Sequence, residues 1–279
     1  ILAANYGTGV YQEDFVHASE AARLTINDWV DAHTNDKIKD LLPSGSLDRT
    51  TRMVLVNAIH LKLPWANTFD PAQTVPGSFI RADSSTVSTS FMNQMTSFPY
   101  VDDGQAQVVS LPLSNREVSI VIALPHADVT LAQYEATLTA HSAALAVPGT
   151  AQLVSLSLPK ATFTSPSFSL SDALNKMGMK QAFDPVLADF SGWCAHPPDG
   201  DNLYIGDVLQ KAMISMQEDG AEAAAATAVI GVGSSAVVEP PTPVPMNVNR
   251  PYLVAIIDNP TGALLMLGHI QDPSDAGNP

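Results

Sequence analysis

From Gln217 to Ala228 the chain reads Gln-Glu-Asp-Gly-Ala-Glu-Ala-Ala-Ala-Ala-Thr-Ala. After Gly220, every side chain except Glu222 and Thr227 is a single methyl group. A Gly/Ser segment, Gly231 to Ser235, comes next. A proline-rich exit follows, Pro240-Pro241-Thr242-Pro243-Val244-Pro245. Intrinsic propensity reads the alanines as helix, because alanine has the highest helix propensity of any residue. A second reading fits the same residues: a strand that must slide between other strands, where bulky side chains would obstruct it. The flanking sequence has to decide between the two.

The 279 residues are 46% hydrophobic and only 15% charged, so much of the chain must be inside. Such a length can bury a core as one large domain or two small ones. The formal net charge is −15. That balance repels nucleic-acid phosphates and anionic lipid, so neither is an expected partner. Uncharged stretches such as 223–238 and 141–159 are broken by Gly, Ser or Pro, and no membrane insertion is expected. Cys194 is the one cysteine, so no disulfide can form within the chain. The chain opens at Ile1 with no apolar signal segment, and reads as though it starts inside a fold.

Apolar residues Ala22, Ile26, Trp29 and Val30 recur at helical spacing, predicting a helix over 19–30 that extends to about His33. A second short amphipathic helix is expected over 37–42, stopped by Pro43 and Gly45. Residues 53–61 are apolar and β-branched, the pattern of a buried strand. The Ser/Thr-rich stretch 79–101 reads as exposed strands and turns. Strands are expected at 108–113 and 118–124, joined by Ser114-Asn115-Arg116, and at 153–158. Helix is expected over 131–145, with Asp128 and Thr130 as candidate caps. Ser169 and Asp172 stand at capping-box spacing before a helix closed by Gly178. Residues 207–216 read as a strand running straight into the alanine segment. Residues 252–257 and 264–268 form a hairpin around Asn259-Pro260-Thr261-Gly262. No internal repeat or linker divides the chain. The class is α+β, dominated by antiparallel connections.

Several of these blocks together resemble the serpin family. They are Val56-Asn57-Ala58-Ile59-His60-Leu61-Lys62 with Trp65 and Phe69-Asp70-Pro71; Leu158-Pro159-Lys160; Met177-Gly178-Met179 with Ala182-Phe183; and Ala188-Asp189-Phe190-Ser191-Gly192. Asp207-Val208-Leu209-Gln210-Lys211-Ala212 leads into Glu218–Thr227. Asn249-Arg250-Pro251-Tyr252 and Leu267-Gly268-His269-Ile270 complete the set. The resemblance runs over almost the whole chain in the family's order. It implies one serpin domain over 1–279, truncated at its N-terminus, with several helices absent. It further implies large, mostly antiparallel sheets, surrounding helices and an exposed reactive loop over 218–245. Two positions depart from the pattern. Gln210 stands where the family usually has His at the shutter, and Leu63 where it has Gly before the breach Trp65.

What the resemblance implies is a suicide-substrate inhibitor of serine, alternatively cysteine, endopeptidases. The protease cleaves the loop and forms an acyl-enzyme. The cut loop then inserts as a new central strand and drags the tethered enzyme with it. The protein itself is then no enzyme and needs no catalytic residue or cofactor. The sequence suits insertion. Ala221, Ala223, Ala225 and Thr227 share one face of such a strand, and Glu222, Ala224, Ala226 and Ala228 the other. Gly220 supplies the pivot, beside Glu218. No proline lies between Gly220 and Val238, so every backbone N–H there can join a ladder. Asn57, Trp65 and Gln210 are the implied breach and shutter residues.

Counting the family's usual loop length from Glu218 puts the scissile bond at Ser234–Ser235. Val232, Ala236 and Val237 compete for the specificity position, and Gly/Ser composition also marks ordinary loop tips. No Lys or Arg lies between Lys211 and Arg250. Trypsin-like proteases are therefore poor partners, and elastase-like or subtilisin-like ones fit. The resemblance further implies a monomer acting outside the cell or in the periplasm. A non-inhibitory member, acting as carrier, chaperone or simple protease substrate, is the alternative.

An enzyme reading finds little support. There is no G-x-S-x-G elbow. His60 lies in an apolar strand and reads as a core or breach histidine. Cys194 and His196 are too few for a zinc site, so no metal is expected. No basic stripe for a polyanion is visible in the chain.

Overall fold

The computed structural model describes residues 11–61, 63–138, 150–192, 202–221 and 242–274. In chain order the first elements are α1 (Phe15–His33), β1 (Val54–His60), β2 (Leu63–Pro64), β3 (Val75–Ile80), β4 (Thr86–Asp102), β5 (Ala106–Pro112) and β6 (Val118–Pro125). Then follow α2 (Leu131–Thr137), β7 (Ala151–Pro159), β8 (Ala161–Thr164), β9 (Phe168–Ser169) and α3 (Ser171–Lys176). The last are β10 (Asp207–Met216), β11 (Gly220–Ala221), β12 (Val244–Asn247), β13 (Tyr252–Asp258) and β14 (Ala263–Ile270). The chain forms two compact units. One comprises the described parts of Ile1–His60 and Thr164–Met213, the other those of Leu61–Phe163 and Ile214–Asn278.

In the first unit, α1 starts four residues earlier than its apolar spacing predicts and ends at His33 as expected. Asp14 caps it by accepting the His17 N–H, and a kink at Ala18 separates the added turn. Its inner face carries Ala22, Arg23, Asn27 and Val30. β1 lies parallel to the first part of β10, in register from Val54↔Asp207 to His60↔Met213. Val30, Ile38, Leu41 and Met213 form one apolar cluster against Val56 and Ala58, and Leu42, Leu47 and Leu209 form another.

The helix expected over 37–42 does not form. Asn35, Asp36 and Asp40 all take positive φ, which a right-handed helix excludes. The Asn27 side chain meets both backbone groups of Leu42, accepting its N–H at 2.8 Å and donating to its carbonyl at 2.9 Å. Arg23 donates to the same carbonyl. The buried polar groups of α1 thus hold an irregular segment, and Ile38, Leu41 and Leu42 are still fully buried. The expected capping box at Ser169 is also absent. Leu170 occupies the cap position of α3, while the Ser169 hydroxyl accepts the Ser171 N–H and turns to Asp207. Gly178 ends that segment at φ +107°.

The second unit is built on eight strands in the order β12-β7-β4-β5-β6-β13-β14, with β3 also paired to β4. Every pairing is antiparallel except β12 with β7. Phe79, Phe98, Leu111, Ile122, Leu156 and Tyr252 anchor the core on one face. On the other face Val108, Val121, Ala123, Leu253 and Ala255 pack on Tyr134 of α2. Burial on both faces explains why 120–125 of β6 and 252–257 of β13 read as unbroken apolar runs rather than alternating ones. The 79–101 stretch holds the end of β3 and all but the last residue of the 17-residue β4, with one side in this core. α2 begins at Thr130, in a full capping box with Gln133. It ends at Thr137 because Leu138 is extended; the rest of the expected helix falls on 139–145, outside the described residues. Among the described residues no helix is long and apolar enough to cross a membrane.

Candidate functional site

At the end of β10 the chain does not run straight on, as the sequence led us to expect. It reverses. Gln217 and Gly220 exchange backbone hydrogen bonds around a tight turn at Glu218-Asp219. Two-residue turns of this kind demand unusual backbone angles. Neither Glu218 nor Asp219 takes positive φ; the unusual angle falls just after them on Gly220, at φ +125°, which then pairs with Pro64, as Ala221 pairs with Leu63, joining β11 to β2.

Gly220 has a second reason to be glycine. A Cβ there would lie 2.4 Å from Pro64 Cα and 2.4 Å from the Trp65 nitrogen, both backbone atoms. Leu63-Pro64, the departure noted from sequence, thus forms the wall against which the pivot rests.

Trp65 grips the turn from the same side. Its indole N–H donates to the Gln217 carbonyl at 2.7 Å. Its backbone N–H donates to the Asp219 carbonyl at 3.1 Å, and the Phe69 N–H to the Glu218 carbonyl at 2.9 Å. Trp65 is buried and meets the edge of Phe69, with ring centroids 6.0 Å apart. One short segment therefore donates to all three turn carbonyls, of which that of Gln217 also accepts the Gly220 N–H.

The Glu218 side chain is largely buried, and burial pushes its carboxyl up. Lys160 reverses this by donating to both carboxylate oxygens, at 3.0 and 2.8 Å, while Thr74 donates its hydroxyl at 2.9 Å. The net result is a carboxyl below its ordinary value, ionised at neutral pH. Beside it, Gln217 donates to the Thr162 hydroxyl, which shares a hydrogen bond with Ser215.

Of the residues expected from sequence, Glu218, Gly220, Ala221 and Trp65 meet here. Asn57 and Gln210 face one another in register across β1 and β10, and no hydrogen bond joins their side chains. Glu222, Ala223, Ala224, Ala225, Ala226, Thr227, Ser234 and Ser235 lie outside the described residues. Sequence reasoning missed Lys160, Thr74, Gln217 and Phe69 as parts of this clamp. The one available signal was Lys160, a cation closing an otherwise uncharged apolar strand. Among the described residues no cluster of His, Cys, Asp or Glu could hold a metal ion.

The family model for serpins (serine protease inhibitors) matches residues 1–273. The chain belongs to the serpin family. Human Serpin B3 is 36% identical over 273 residues, covering 96% of this chain and 68% of that protein. Human leukocyte elastase inhibitor is 32% identical over 277 residues, with 96% and 71% covered. Among solved structures, the native state of the thermophilic serpin tengpin aligns at a TM-score of 0.79 and 27% identity, over 97% of this chain and 67% of that one. The chain therefore has the serpin fold and spans about two thirds of the length of these relatives. Serpins are protease inhibitors by family, not enzymes.

Proposed function

We propose that this protein is an inhibitory serpin that traps the acyl-enzyme of a serine, alternatively cysteine, endopeptidase by inserting its cleaved loop into the sheet containing β1 and β10. The reversal at Glu218-Asp219 carries this reading. β1 and β10 are parallel neighbours over seven paired positions. A chain that leaves β10 through a reversing turn runs antiparallel to both strands. Insertion between them replaces one parallel ladder by two antiparallel ones. Antiparallel pairing is the stronger per residue, and each inserted residue can use both its N–H and its C=O. Asn57 and Gln210, opposite one another at this seam, are then the shutter through which it opens.

The clamp gives the loop a fixed root. Trp65 and Lys160 hold Gln217 to Gly220 in the turn. The small side chains of Ala221 to Ala228 suit a strand that must slide across packed neighbours. We place cleavage at Ser234–Ser235. The absence of Lys and Arg from 212–249 favours elastase-like or subtilisin-like targets. A relative named leukocyte elastase inhibitor supports that class. Action on secreted proteases, by a monomer outside the cell or in the periplasm, belongs to the same proposal.

The test is to mix the full-length protein with an elastase-like protease and a subtilisin, and to look for a complex that survives SDS. Mass spectrometry of the released loop peptide locates the bond. Complete loop cleavage without any complex would mean a substrate or carrier, and would sink the proposal.

A further inference from the structure

The strands beside the loop exit share an unusual property. Apart from Asp102, the last residue of β4, no charged residue occurs in 75–80, 86–102, 151–159 or 242–249, although 15% of the whole chain is charged and its net charge is −15. At the chain-wide fraction these stretches would hold several charges. Exposed strands commonly carry Lys or Glu to keep other surfaces from sticking. Here the outward positions are neutral instead. Met95 pairs with Ser155 and Ser155 with Pro245, making one row across β4, β7 and β12. Asn93, Ser157 and Asn247 make the next row. Met95 is 61% exposed, and Ser97, Pro245 and Asn247 are exposed as well. The inward rows, such as Leu156 with Met246, are buried in the core.

A shallow cleft of about 180 Å³ opens on the same sheet, lined by Val75, Gly77, Phe91, Ser157 and Asn247. Small-molecule sites run to roughly 300–1,000 Å³, so this cleft has room for one protein side chain rather than a ligand.

We propose that this uncharged face is a second docking surface for the protease being captured, and that it selects proteases whose own active-site rim is uncharged. The inference rests on the inhibitory reading above. Eight residues, and so nine Cα-to-Cα steps, separate Ser235 from Val244. Fully extended they reach at most about 30 Å. A protease domain of about 220 residues has a radius of gyration near 17 Å and is therefore wider than that reach. An enzyme seated on the loop tip overlaps the region of β12. A charged rim pressed against this face loses hydration and gains no partner, whereas a neutral rim loses little. Exposed Met95 adds a polarizable, adaptable contact.

Two consequences can be measured on the full-length protein. Association with an elastase-like protease or subtilisin should run at an unsteered rate, about 10⁵–10⁶ M⁻¹s⁻¹. It should stay flat between 0.15 and 0.5 M NaCl, where the Debye length is about 8 Å or less and distant acidic groups are screened. Met95→Lys, Met95→Glu, Ser97→Lys and Ser97→Glu should each slow association about tenfold, whichever the sign, because each buries an uncompensated charge. Their stoichiometry of inhibition should not change. If one sign accelerates capture, or salt alters the wild-type rate steeply, the partner's rim is charged and the proposal falls. If none of the four variants changes the rate, the face does not dock, although inhibition itself stands. If the wild type forms no SDS-stable complex, the inhibitory reading fails and takes this one with it.

Discussion

Replacing Gly220 by alanine puts the clamp to its most direct test. The new methyl has no room: two backbone atoms, Pro64 Cα and the Trp65 nitrogen, would lie 2.4 Å from it. Backbone cannot step aside as a flexible side chain can, and forced overpacking costs about 1–3 kcal/mol. The φ of +125° adds about 1–3 kcal/mol for any residue with a Cβ. The turn can escape only by leaving its seat. It then gives up the three hydrogen bonds from the Trp65 indole, the Trp65 N–H and the Phe69 N–H, each worth about 1 kcal/mol net. Both routes arrive at a loss of about 3 kcal/mol. At roughly 2–4 °C per kcal/mol for a chain of this size, the melting temperature should fall by about 6–12 °C. Thermal unfolding followed by circular dichroism reads the loss. Hydrogen exchange at the Trp65 and Phe69 amides reads its location, since both should lose protection. Gly262→Ala is the control, because Gly262 also has positive φ but nothing within 4 Å of its would-be Cβ. If Gly220→Ala costs no more than Gly262→Ala, and those two amides stay protected, the close approach at Pro64 is wrong.

Four further outcomes are expected. Lys160→Met should destabilise the protein at neutral pH by about 1–3 kcal/mol, by leaving the buried Glu218 carboxylate without its cation. Because the folded carboxyl sits below its ordinary 4.5, the Lys160 contribution is present above that pH and lost as pH falls through the folded value; the wild-type-minus-variant gap in melting temperature, measured from pH 7 to pH 3, should shrink in that window. Cleavage of the loop should raise the melting temperature well beyond 10 °C: opening seven paired positions and filling them with an inserted strand nets about seven hydrogen bonds, or roughly 7 kcal/mol, and an unchanged melting curve would contradict insertion. Ala223→Arg and Ala225→Pro should each convert the protein to a cleaved substrate, so an undiminished covalent complex on SDS gels from either would oppose the strand model. Tyr252→Phe should leave stability unchanged or raise it by about 1 kcal/mol in denaturant titration, because its fully buried hydroxyl finds no partner among the described residues.

Much of the fold was readable from the chain. The strand at 53–61, the hairpin around 259–262 and the strands either side of Ser114-Asn115-Arg116 all stand where pattern and turn residues place them. Misreadings came where side chains outcompeted local propensity. Residues 37–42 have helical spacing, but Asn27 and Arg23, from another part of the chain, claim the Leu42 backbone. Ser169 has capping spacing, but its hydroxyl is drawn to Asp207, 38 residues away. The clamp was half legible. Trp65, Glu218 and Gly220 stood out by resemblance, whereas Lys160 and Thr74 join Glu218 across 58 and 144 residues.

Taken alone, the sequence determined what the loop can be: small enough to insert, free of proline from Gly220 to Val238, without a basic residue to attract a trypsin-like protease, and rooted at a glycine. These are properties of composition and order, and need no partner to define them. Only the tertiary structure decided which way the loop sets out. Alternation says that 207–216 is a strand, but a strand pattern names neither its neighbours nor their direction. The parallel pairing with β1, the wall of Leu63-Pro64 behind Gly220 and the grip of the Trp65 indole on the turn are contacts between segments more than 150 residues apart. No local propensity encodes them, because they exist only once the chain has folded.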